Sequence, residues 1–114
     1  MIRGDVYDGA LNPVVGSEQA GTRPVVIVSR DSLNAQRPVV VVVPLTSFRS
    51  RSQLHPGWVP VRSFDSGLGQ DSLALCEQIR GIDKRRLRRY RGHLSDAAMS
   101  DIEMGLQTVL ALDS

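Results

Sequence analysis

The sequence predicts a mainly β domain with appended α-helices, and three observations carry that class. Two β-branched runs, Pro24-Val-Val-Ile-Val-Ser29 and Val39 to Val43, are apolar without alternation and call for burial on both faces. Turn-forming residues break the first two thirds of the chain at short intervals. Helical spacing of apolar residues appears clearly only near the end. A small barrel, or a sheet covered by a helix, satisfies all three.

Taken in order, Asp5 to Leu11 is weakly apolar and reads as a first strand, followed by Asn12-Pro13 and a loop through Gly16 and Gly21. The run from Pro24 to Ser29 is the second strand, and Val39 to Val43, bracketed by Pro38 and Pro44, is the third. Leu45 to Gly57 is polar, carries Arg49 and Arg51 among serines and ends in Pro56-Gly57, the pattern of a long mobile loop of the kind that tends to be functional. Trp58 to Val61 and Ser72 to Leu75 read as short strands around a Ser66-Gly67-Leu68-Gly69 turn. The basic segment Asp83 to Arg91, with Leu87 and Tyr90 three apart, fits a short helix. Ser95 caps a last amphipathic helix on which Met99, Ile102, Leu106, Val109 and Leu110 recur through to Leu112. No repeat or linker divides the sequence, so residues 1–114 are expected to form one domain.

Hydrophobic residues at 41% and charged residues at 23% allow a buried core without wholesale disorder. The longest apolar run falls far short of the roughly 20 residues of a membrane span, and MIRGDV is not a signal pattern, so a cytoplasmic protein without membrane contact is expected. Cys76 is the only cysteine, and beside it stand only His55 and His93, which rules out an internal disulfide and any ligand cluster at metal spacing. No cofactor is expected. Thirteen arginines accompany one lysine, Lys84, at a net charge of +2. Arginine's planar fork suits bidentate contact with phosphate, although a GC-rich genome yields the same skew.

The densest group of unusual residues is Gly16-Ser17-Glu18-Gln19-Ala20-Gly21-Thr22-Arg23-Pro24, a polar loop feeding a buried strand. Its glycines permit tight turns and close approach of a ligand, while Glu18 and Arg23 offer an acceptor and a forked cation. A solvated loop with a surface ion pair has the same composition.

GSEQAGTRP followed by VVIVS resembles the signature loop of the MazF/PemK toxin family, endoribonucleases of bacterial toxin–antitoxin modules. Four further segments fall in the family's order: RGDVY at the start, Pro44-Leu45-Thr46-Ser47, the stretch Asp71 to Arg80, and the closing Leu94-Ser95 helix. The resemblance implies a small SH3-like barrel with appended helices and a homodimer that cuts single-stranded RNA without metal. It also implies neutralisation by a cognate, MazE-like antitoxin. It places catalysis on Arg23 and Thr46 and makes Ser17, Glu18, Gln19, Ser47, Arg49, Arg51 and Gln78 the expected RNA contacts. Arg23 suits a fixed charge on phosphorane oxygens better than a proton-transfer role, because a guanidinium holds its proton at neutral pH. The chain departs from the family where Ala10 and Asn12 replace acidic residues ahead of the first proline.

The remaining candidates have plainer readings. His55 and His93 are expected at the surface, which leaves a paired-histidine ribonuclease without support. Cys76 follows an apolar run and is expected to pack rather than react. Gln78 suits either a base edge or a structural hydrogen bond, and the basic segment 84–91 suits a solvated helix face, a contact with the RNA backbone or the rim of a dimer. A related fold can instead act as a non-hydrolytic poison of a protein such as gyrase, so fold alone does not choose between these functions.

Overall fold

The computed structural model describes residues 1–12, 15, 16, 18, 21–48 and 55–112; Ser17, Gln19, Arg49 and Arg51 lie outside the described residues. The described residues form seven strands: β1 (Asp5–Ala10), β2 (Thr22–Ile27), β3 (Val39–Ser47), β4 (Trp58–Val61), β5 (Ser72–Leu75), β6 (Arg80–Asp83) and β7 (Leu87–His93). Three helices accompany them: α1 (Asp31–Gln36), the single turn α2 (Ser63–Ser66) and α3 (Asp96–Leu110). All the pairings are antiparallel. The mainly β class with appended helices is the observed one.

The long strand β3 organises the sheet. Its first half pairs with β6 and its last three residues pair with β5, while β2 occupies the other edge from Val25↔Pro44 to Ile27↔Val42. The sheet therefore runs β4-β5-β3-β2-β1-β7, with β6 on β3, and its end strands β4 and β7 do not pair with each other. Chain connectivity nonetheless forces a curl. Between β6 and β7 lie four strand spacings, about 19 Å if the sheet were flat. Only a three-residue 3-10 turn, Lys84–Arg86, joins them. At about 2 Å of rise per residue that turn cannot reach across a flat sheet, so the strands bend around an interior.

That bend creates two cores, which is why the valine runs lack alternation. Val26, Val43 and Leu45 face one cluster with Val59, Val61, Cys76, Leu94, Met99 and Ile102 beneath α3. Val25, Ile27, Val40 and Val42 face the other, with Leu11 and Ile82, and Tyr7 and Leu87 pack against it. Helix α3 starts where expected, Ser95 accepting a hydrogen bond from the Ala98 amide. It sits so close to the sheet that a Cβ on Gly105 would fall 2.7 Å from Val59 and 2.8 Å from Cys76 Sγ. The helix ends at Leu110, two residues short of the expected reach, and Leu110 and Leu112 are exposed.

Three expectations need correction. The third strand does not stop at Pro44 but runs to Ser47, so Leu45 to Ser47 belong to the sheet rather than to a mobile loop. On the β5/β6 edge the pairs end at Leu45↔Ala74 and resume at Val42↔Arg80, leaving Pro44 opposite a break where a missing N–H costs nothing. The basic segment is not a helix: after the 3-10 turn it forms β7 on β1. Its helix-like spacing comes from a bulge, because Tyr7 and Gly9, two apart on β1, pair with Tyr90 and Leu87, three apart on β7. Finally, α1, α2 and β6 were not expected; α1 and α2 are short, and β6 resumes the line of β5 after a 3-10 turn at Cys76–Gln78.

Candidate active site

The site arises where β2 and β3 part. Their last pair is Val25↔Pro44; beyond it β2 stays with β1 while β3 turns to β5. Residues 22–24 and 45–47 become opposite walls of a cleft of about 220 Å³. Leu68, Gln70, Ser72 and Arg91 complete its lining. Arg23 and Thr46, the two residues singled out for catalysis, thus meet in one cleft from neighbouring strands, and Ser47 lines it with them.

A second hollow of about 180 Å³ lies next to the first, lined by Leu11, Glu18, Pro44, Glu77, Gln78, Ile79 and Arg80. Strand alternation puts Arg23 and Thr46 on the same sheet face as Val25 and Pro44, and Pro44 lines this hollow. Arg23 and Thr46 themselves line only the cleft, and the step from Leu45 to Pro44 links it to the second hollow. Glu18 and Gln78, expected as RNA contacts, belong to the second rather than to the cleft.

Local bonds explain how these residues are held. The loop ahead of Arg23 is closed at its base: Leu11 N–H donates to the Gly21 carbonyl at 2.9 Å, and Gly21 N–H donates to Asn12 Oδ1 at 3.1 Å. Asn12, which replaces an acidic residue of the family pattern, thus closes the loop. Gly16 and Gly21 both adopt positive φ, as their turn positions require. Glu18 Oε1 accepts the Val15 amide at 2.6 Å. Arg86 reaches the carbonyls of Ala10 and Asn12, and Arg80 that of Leu11, so two arginines of the C-terminal half brace the same loop.

On the far wall, Gln70 Nε2 donates to Ser47 Oγ at 3.1 Å. Asp71 accepts the Ser63 amide at 2.9 Å and Arg62 at 3.1 Å. The Ser63 bond, and then Arg62, hold its carboxyl below the usual carboxylate value despite partial desolvation. In the second hollow, Glu77 Oε2 accepts the Trp58 indole N–H at 2.6 Å.

Chemically, the described lining of the cleft holds two guanidinium groups, three hydroxyls of Thr22, Thr46 and Ser47, a fourth on the buried Ser72, and no carboxylate. Such a set stabilises negative charge and hydrogen-bonds phosphate oxygens. No group of three or more His, Cys, Asp or Glu among the described residues is placed to hold a metal ion. Cys76 packs as expected: it is fully buried, and burial followed by the Glu77 charge pushes its thiol up to about 11. His55 Nδ1 accepts the Gly57 amide at 3.1 Å. His93 is half-exposed and bonds Asp5 Oδ1 at 2.8 Å, a structural pairing rather than a solvated ring. Neither histidine lines the cleft. Thr22, Gln70 and Ser72 were not among the expected contacts, and Arg91 entered only as one member of the basic segment.

Comparison with known proteins covers nearly the whole chain. Residues 2–110 match the family described as PemK-like, MazF-like toxin of type II toxin–antitoxin system. The endoribonuclease EndoA of Bacillus subtilis is 43% identical over 110 residues, 96% of this chain and 94% of that protein. The endoribonuclease MazF of Staphylococcus saprophyticus is 42% identical over 96% of this chain and 95% of its own. Among solved structures, a mycobacterial endoribonuclease in complex with its cognate antitoxin superposes with a TM-score of 0.81 at 29% identity, covering 100% of this chain and 98% of that one. Deinococcus radiodurans MazF shares the fold at a TM-score of 0.81 and 22% identity, over 97% and 96% of the two chains.

Proposed function

The chain belongs to the PemK-like, MazF-like toxin family of type II toxin–antitoxin systems, and on that premise we propose that it is an endoribonuclease. It cuts single-stranded RNA, inhibits translation and growth, and is neutralised by a cognate antitoxin. The observation that carries this reading is the meeting of Arg23 and Thr46 in one polar, cationic cleft. Relatives named as endoribonucleases favour it over a protein-directed poison of the same fold.

The chemistry follows from the groups present. The ribose 2′-oxygen attacks the adjacent phosphorus as its proton leaves, the bond from phosphorus to the 5′-oxygen breaks, and that oxygen takes up a proton. A 2′,3′-cyclic phosphate and a 5′-hydroxyl result. Arg23 stabilises the charge that builds on the phosphorane oxygens, and Thr46 donates to one of them or relays a proton. Neither role needs a metal. Glu18 and Gln78 in the neighbouring hollow offer an acceptor and an amide for base edges, and Ser47 a further phosphate contact. We assign the remaining expected contacts, Ser17, Gln19, Arg49 and Arg51, to the RNA path on the strength of the family pattern. The same reading makes residues 1–114 one toxin domain that works as a cytoplasmic homodimer. No helix of the described residues is long and apolar enough to cross a membrane.

The test is incubation of the purified protein with a long single-stranded RNA in EDTA. Discrete fragments ending in cyclic phosphate are expected. RNA that is bound but intact would replace this reading with a non-catalytic one, and RNA neither bound nor cut would leave a protein target as the function.

A further inference from the structure

Arg91 stands apart from the other arginines of β7. Val6 and Tyr7, adjacent on β1, pair with Gly92 and Tyr90, so Arg91 is the extra residue of a bulge and has no partner in the ladder. Bulges re-aim the side chain of the inserted residue, and they gather beside functional sites. Here the result is that Arg91 lines the same cleft as Arg23 and Thr46, although strand β1 lies between β2 and β7. Its guanidinium is fixed from behind: Nη1 lies 2.9 Å from Asp8 Oδ1, with the two side chains only 29% and 19% exposed. A single bond to Asp8 uses one of five guanidinium donors. Pre-orientation of this kind by a carboxylate is what a recognition arginine needs and a solvated one lacks.

We propose that Arg91 is a second phosphate-binding residue of the site, positioned by Asp8, and that it holds a phosphate of the substrate next to the one at Arg23 and Thr46. The inference rests on the ribonuclease reading. The RNA then passes three stations: the hollow of Glu18 and Gln78, the cutting position at Arg23 and Thr46, and Arg91, which lines the same cleft. Asp8 both aims the guanidinium and offsets its charge, so it moderates affinity for RNA. Removing Arg91, and neutralising Asp8 with an amide whose oxygen still accepts the guanidinium bond, must therefore change RNA binding in opposite directions. A merely structural ion pair tying β1 to β7 would weaken binding in both variants alike.

Binding of an RNA oligonucleotide that carries the mapped cut sequence, made uncleavable by a 2′-deoxy sugar at the cut position, tests this across a salt series. Arg91→Gln is expected to bind about tenfold more weakly, the order of one charge-assisted hydrogen bond. Its slope of log affinity against log salt should be shallower by up to ~0.7, the value of one single-strand phosphate contact. Asp8→Asn is expected to bind more tightly with a steeper slope, and the double variant to keep the shallow slope of Arg91→Gln. An unchanged slope in Arg91→Gln, or the same direction of change in both single variants, overturns the proposal. The wild-type protein separates the two ideas: intact RNA in the EDTA assay counts against the ribonuclease reading, whereas a cutting wild type whose slope Arg91→Gln shares counts against Arg91 alone. Should the wild type leave RNA uncut, the same slopes are read on the intact RNA.

Discussion

The cleft that holds Arg23 and Thr46 and the hollow next to it are built from different chemistry. The cleft between β2 and β3 has two arginines and a set of hydroxyls with no described carboxylate, whereas its neighbour mixes two glutamates, an amide and one arginine. A wall of cations, hydroxyls and one amide, with no carboxylate among its described residues, suits a group that is always negative and always the same, which is a phosphate. A wall of mixed donors and acceptors suits groups that differ from one nucleotide to the next, which are base edges. The fold separates the two tasks by letting β2 and β3 part just past Pro44. The proposed function thus distributes cutting and base reading over adjacent depressions.

The sharpest way to break this division is at its centre. Arg23→Ala is expected to lower cleavage at least a thousandfold while the protein still folds, because the residue is exposed and its loss opens no cavity. Arg23→Lys should also be poor, since a point charge does not reproduce a two-pronged contact. Thr46→Val keeps the shape, removes the hydroxyl and should cost roughly tenfold to a thousandfold. Cleavage rates under single-turnover conditions check all three, and these losses should be alike for every RNA sequence tested. A fully active Arg23→Ala would remove the cleft from the mechanism.

The neighbouring hollow should answer differently. Gln78→Leu is expected to lower kcat/KM for the preferred sequence by about tenfold, as for one lost hydrogen bond to a base edge. It should also relax the choice of sequence. Sequencing the ends of fragments from a mixed RNA pool measures that choice directly. A variant that slows all sequences equally would place Gln78 with the phosphate-binding machinery, and the contrast between the hollows would dissolve.

How much of this was legible in the chain depends on the range of the signal. Strands β4 and β5 and the Ser95 cap were readable because each is announced within a few residues. Arg23 and Thr46 were readable through the resemblance, and the structure brings them together. Strand β7 was not readable, since its bulge turns a period of two into a spacing of three and imitates a helix. Arg91 was blurred by the same event: as a member of a basic helix it is one charge among several, with a solvated face, an RNA contact and a dimer rim all open to it. Read as a strand, an arginine next to Gly92 would have raised the question of a bulge. Pro44 misled in the opposite way, because a proline ends a central strand unless its edge is interrupted, and that interruption lies some thirty residues downstream in the turn at Cys76–Gln78.

The smallest effect concerns the outer wall of the cleft, where pH sharpens the comparison. Asp71 follows Gln70 and precedes Ser72, and its carboxylate fastens the start of α2 through the Ser63 amide and Arg62. The amide bond first, and Arg62 after it, hold the carboxyl below its ordinary value. A group depressed on folding contributes stability above its unfolded value, near pH 3.9, and loses that contribution as pH falls through the folded one. Wild-type protein should therefore melt slightly above Asp71→Asn at pH 7, and the gap should close only as the pH drops below about 4. The contribution is modest because the pair is substantially exposed. Since Gln70 holds Ser47 on the same wall, the variant should loosen the Arg91 side of the site while leaving the sequence choice set by Gln78 untouched. Melting curves from pH 7 to 3 check the first expectation and fragment-end sequencing the second; a gap that widened in acid would show that Asp71 is protonated in the folded wall and that its bonds run the other way.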